Sequence, residues 1–77
     1  MKPEDLIELL EERPFVPLQL HMSNGRKHQV RHPEMAIVGE DIVALGVATE
    51  ESEYPRIRLV SLAHINEVEQ VPSGTSS

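Results

Sequence analysis

The sequence predicts a small, mainly β domain of barrel type with one N-terminal helix. Two observations lead there. Leu18, Leu20 and Met22 alternate with Gln19, His21 and Ser23, the period of a strand with one buried and one wet face. Asn24-Gly25 follows directly and is a strong short-range hairpin signal. Around this hairpin a single domain is expected over residues 1–71, with 72–77 (PSGTSS) as a disordered polar tail.

In chain order, Pro3 to Glu12 reads as a short amphipathic helix. Pro3 suits the first helical turn, and Glu4 and Asp5 lie where the helix dipole favours negative charge. Leu6, Ile7, Leu9 and Leu10 make one apolar stripe, and Pro14 ends the helix at about Arg13. So short a helix does not hold together alone in water, so it is expected to dock on an open end of the barrel.

The hairpin allows two registers, and the hydrophobic pattern chooses between them. A two-residue loop would set Leu20 against Gln29 and Leu18 against Arg31, placing polar groups on the buried face. A three-residue loop sets Leu20 against His28 and Leu18 against Val30, with Gly25 at positive φ. The second is predicted. It puts Gln19, His21, Lys27, Gln29 and Arg31 on the outer face, a basic and polar surface in an acidic chain, and turns His28 inward.

Beyond the hairpin, His32-Pro33-Glu34 breaks the second strand and Met35–Val38 forms a short apolar run before the Gly39-Glu40-Asp41 turn. Ile42–Val47 is predicted as a strand that is apolar on both faces and buried on both. Residues 48–55 read as a solvated acidic loop, and Arg56–Leu62 as a second two-sided strand, with Ile57 and Leu59 on one side and Val60 and Leu62 on the other. Ala63-His64-Ile65 reads as a tight corner or short 3₁₀ turn, and Asn66–Val71 as the last strand.

Composition narrows the function classes. The chain has 77 residues, a formal net charge of −6 and no Cys, so disulfide staples are excluded and oligomerisation is the usual remaining way for so small a domain to gain stability. The acidic balance opposes broad attraction to phosphates, although Arg26–Arg31 is locally basic. No run is long enough to cross a membrane, and Met1-Lys2 leads into an acidic segment rather than a signal core, so a cytoplasmic location is expected.

Chemistry is sparse. Of the four histidines, His21 and His28 point to opposite faces, and His28 and His32 stand about 13 Å apart along an extended chain, too far to share an ion. No metal site and no cofactor are expected. Ser23 and Ser61 have no evident base, and no Gly-rich phosphate loop is present. With one Phe and one Tyr, stacking platforms for single-stranded nucleic acid are largely missing. An enzyme is not expected; the residual acid/base reading would rest on His28, His32 and Glu34.

The order of helix, strand, SNGR turn, strand, bend, strand, acidic loop, strand, corner and last strand resembles the Sm-like small barrel, a family that includes the bacterial RNA chaperone Hfq. The residues carrying the likeness are Leu18–Arg26 and Ser61–Val68. The chain is also similar to a group of small bacterial proteins, of no assigned activity, that share a PFxPL, NGR and VRHPE arrangement. The Sm-like resemblance implies a five-stranded, strongly bent antiparallel barrel of SH3-like type. It also implies a ring in which the fourth strand of one subunit pairs with the fifth of the next, burying the second faces of Ile42–Val47 and Arg56–Leu62. Where Sm proteins read RNA with an Asp and an Asn, this chain has His32-Pro33-Glu34-Met35, so the likeness carries fold and assembly but not the RNA site.

The function expected is therefore a non-enzymatic binding and assembly module that self-associates. Its candidate contact surface is His21, Lys27 and Arg31, extended by His32, Arg56 and Arg58. The alternative is an RNA-binding regulator in which Arg26, Lys27, Arg31, Arg56 and Arg58 meet phosphates.

Overall fold

The computed structural model describes residues 1–47 and 56–72. The predicted acidic loop, and the predicted tail apart from Pro72, lie outside the described residues. Among these residues one helix, α1 (Pro3–Glu11), precedes six strands: β1 (Leu18–Met22), β2 (Lys27–Val30), β3 (Ala36–Val38), β4 (Ile42–Val47), β5 (Arg56–Ser61) and β6 (Ile65–Gln70). Short 3₁₀ turns at Pro33–Met35 and Leu62–His64 lead into β3 and β6. The architecture is mainly β, in two three-stranded antiparallel sheets ordered β2-β1-β6 and β3-β4-β5.

Helix α1 stops one residue earlier than predicted. Arg13 folds its guanidinium back, and Nη1 donates to the carbonyls of Leu10 at 2.9 Å and Glu12 at 2.8 Å. A cation at a helix C-terminus satisfies carbonyls that have no partner within the helix. Leu6 and Leu10 are the buried members of the stripe, and they enter the core shared by both sheets.

The hairpin takes the three-residue register: Leu18 opposes Val30, Gln19 opposes Gln29, Leu20 opposes His28 and His21 opposes Lys27. Gly25 sits at φ +86°, as that turn requires, and Asn24 Oδ1 accepts from the Arg26 N–H at 2.9 Å. The inward residues Leu18, Leu20, Met22 and Val30 then meet Val43 and Leu45 of the second sheet, together with Leu62 and Ile65. No polar or charged residue among those described is buried.

Two expectations are corrected. Six strands replace five, because the 3₁₀ turn at Pro33–Met35 redirects the chain and lets Ala36, Ile37 and Val38 pair with Leu45, Ala44 and Val43. The described strands make two sheets rather than one continuous barrel. The second correction concerns β4 and β5, which are not covered on both faces. Val43 and Leu45 are buried, whereas Ile42 is 46% exposed, Ile57 63% and Leu59 65%. Side chains in register share a face, so Ile37, Ala44 and Leu59 form one row across the outside of β3-β4-β5. Ile37 and Leu59 in that row stay 71% and 65% exposed, so the described residues leave it largely uncovered.

Candidate functional site: a basic cleft beside the hairpin

Among the described strands β2 is an edge, and a cleft of about 550 Å³ runs beside it. Arg26, Lys27, His28 and Arg31 line it from the hairpin side, and Gly46, Val47 and Arg58 from the ends of β4 and β5. Both faces of an edge strand reach such a cleft, which is why outward Lys27 and inward His28 are found together. Arg58 joins them because it opposes Leu45 in the β4–β5 register and so shares the inner face of its sheet. Four cations therefore line one opening, and among the described lining residues there is no carboxylate.

His28 reports this field. Its imidazole is held below the ordinary value of 6.5, first by partial burial and then by the positive charges of Arg58 and Arg26. Neutral imidazole is thus its favoured form near neutral pH. Arg31 Nε approaches Gln29 Oε1 at 3.4 Å, a long contact that aligns the two side chains along the strand.

A second opening, of about 520 Å³, shares Arg26, His28 and Arg58 and continues to Ser23 and His64. There Ser23 Oγ lies 3.2 Å from His64 Nδ1. The two residues are brought together by the backbone, since the Ser23 N–H donates to the His64 carbonyl at 2.8 Å. Sequence reading left Ser23 without a base, because 41 positions separate it from His64. Among the described residues no carboxylate bonds to the other ring nitrogen, so the pair lacks the third group that orients a nucleophile's base. Among the described residues there is also no group of three His, Asp or Glu side chains able to hold a metal ion together.

The sequence-predicted contact residues divide. Lys27, Arg31 and Arg58 converge on the cleft. His21 does not: its Nε2 lies 3.0 Å from Glu69 Oε1 of β6, on the outer face of β2-β1-β6. Glu67 and Glu69 share that face, so the outer hairpin surface is mixed in charge rather than basic. Arg56 is exposed at the start of β5, and His32 is exposed just before the first 3₁₀ turn; neither lines the cleft. The alternation of Arg58 with Ile57 and Leu59 was the signal that it belongs to the inward set.

The chain matches no family model, no curated protein and no solved structure. No helix among the described residues is long and apolar enough to cross a membrane.

Proposed function

We propose that this protein is a self-associating binding module, in which copies of the chain bury the outer face of β3-β4-β5 against one another. One observation carries the reading. Ile37 is 71% exposed, Leu59 65%, Ile57 63% and Ile42 46%, and all four lie on one face with Ala44 and Gly46 and with no charged residue among them. A cluster of exposed aliphatics on so small a domain marks an interaction surface. A chain of net charge −6 repels its own copies on balance. A charge-free face is where copies can meet without setting like charges against one another. A charged partner would find nothing there to pair with.

The strand edges supply a direction for assembly. Among the described strands β5 and β6 are edges of different sheets, each with a row of backbone groups open to a further strand. Pairing β5 of one copy with β6 of the next is head-to-tail, and such contacts close into a ring when the rotation permits. This is the Sm-like assembly, with β5 and β6 in the places of the fourth and fifth strands.

Light scattering over a dilution series tests the reading. The wild type should have several times the mass of one chain, and Ile57→Glu with Leu59→Glu should reduce it to a folded monomer. A wild type that stays monomeric at about 100 µM, well above the dissociation constants of ordinary specific interfaces, would overturn it.

A further inference from the structure

We infer that the cleft beside β2 is a binding site for a small soluble ligand carrying two or more phosphate groups. This goes beyond self-association and does not depend on it, because the four cations converge within one chain.

Their arrangement is the first reason. Arg26, Lys27 and Arg31 come from the hairpin and Arg58 from the other sheet, so positive charge faces the opening from both walls. Arginine forks suit phosphate oxygens in pairs, and three of the four cations are arginines. Like charges held together repel one another, and no carboxylate stands among the described lining residues; an anion between them removes that repulsion. The lowered proton affinity of His28, owed first to partial burial and then to Arg58 and Arg26, agrees with positive charge gathered at this opening. Because β2 is an edge among the described strands, alternate backbone N–H groups along it have no partner in those strands and can donate to phosphate oxygens.

Size and surroundings select a compact ligand over a nucleic acid. A volume of about 550 Å³ accommodates a small molecule such as a nucleotide. A longer polyanion would run out of the cleft onto a chain whose net charge is −6. Among the described residues no aromatic side chain lines the opening for bases to stack on, and Phe15 packs against the core. Recognition therefore falls on phosphate charge rather than on a base.

Inorganic triphosphate is the probe, titrated calorimetrically into the full chain at low salt. One ligand should bind per chain, and about 0.5 M salt should abolish most of the heat. Arg58→Gln and Arg31→Gln, both at exposed positions, should each weaken binding by about tenfold or more, while Arg13→Gln, at the end of α1, should leave it unchanged. Single-stranded RNA and inorganic phosphate form the comparison arms. Lack of binding at millimolar triphosphate would overturn the inference, as would equal affinity in Arg58→Gln and Arg13→Gln. RNA that binds more tightly than triphosphate, with the same sensitivity to Arg58, would overturn the ligand class in favour of a nucleic acid.

Discussion

The outer face of β2-β1-β6 carries Gln19, His21, Lys27, Gln29, Glu67 and Glu69, whereas that of β3-β4-β5 carries Ile37, Ile42, Ala44, Ile57 and Leu59. Their inner faces are alike, since Leu18, Leu20, Met22 and Val30 from one meet Val43 and Leu45 from the other in a single core. Inner apolar residues hold the chain together. Outer ones in the second sheet contribute little to that, because 63–65% of the Ile57 and Leu59 surface remains in water within one chain. The same residue types thus lie buried on one face and exposed on the other, separated only by strand parity.

Core truncation should show the largest effect and the clearest contrast. Leu20 and Leu45 are 0% and 2% exposed, so Leu20→Ala or Leu45→Ala should each cost about 2–5 kcal/mol in denaturant unfolding. Their outward neighbour Gln19→Ala should stay within about 0.5 kcal/mol. Leu59→Ser belongs with Gln19→Ala when the protein is dilute enough to be monomeric. An unfolding cost for Leu59→Ser equal to that of Leu45→Ala would show the outer face to be part of the intramolecular core, and the contrast would collapse.

Concentration separates the faces further. An associating wild type should melt at a temperature that rises with protein concentration, because mass action favours the bound, folded form. Leu59→Ser should reduce that rise, and Gln19→Ala should not. Equal concentration dependence in all three would place the contact elsewhere on the surface.

Parity itself depends on the hairpin turn, which gives the next effect in size. Gly25 has φ +86°, and a Cβ added there would meet nothing within 4 Å. The cost of Gly25→Ala is therefore backbone strain alone, about 1 kcal/mol, and Gly25→Asn should recover part of it. A much larger loss would mean that the turn also fixes which face of β1 points inward, since a one-residue slip would exchange Leu20 for Gln19.

The elements that depend on local chemistry were legible in the sequence. Alternation over Val16–Ser23 with Asn24-Gly25 yielded both the hairpin and its register, and Pro3 and Pro14 bracketed the helix. The separate strand at Ala36–Val38 was not legible, because three residues carry too little periodicity and their pairing with β4 is made by the preceding 3₁₀ turn. Burial of β4 and β5 was over-read for a related reason. Composition shows that both faces are apolar, but not whether the chain has anything left to cover the second. The cleft was half legible: Lys27 and Arg31 stand out locally, while Arg58 reaches them only through tertiary packing.

The smallest expected effect concerns His28, a polar side chain facing inward opposite Leu20. Partial burial, then Arg58 and Arg26, lower its proton affinity in the folded chain, whereas in the unfolded chain it titrates near its ordinary value of 6.5. Below that pH the unfolded state binds more protons at this site, so the stability His28 contributes as a neutral group is present above about pH 6.5 and is lost as pH falls toward the folded value. His28→Gln should therefore lower the melting temperature less than the wild type does between about pH 7.5 and about pH 5.5, the range in which imidazoles change charge. The two proteins differ only at this position, so the difference between the two curves isolates His28. Arg58→Gln should shrink the same difference by removing the positive charge that acts more strongly on His28 of the two. Identical curves for wild type and His28→Gln would mean that Arg58 and Arg26 do not press on this imidazole, and the picture of charge gathered from both sheets around one opening would lose its internal reporter.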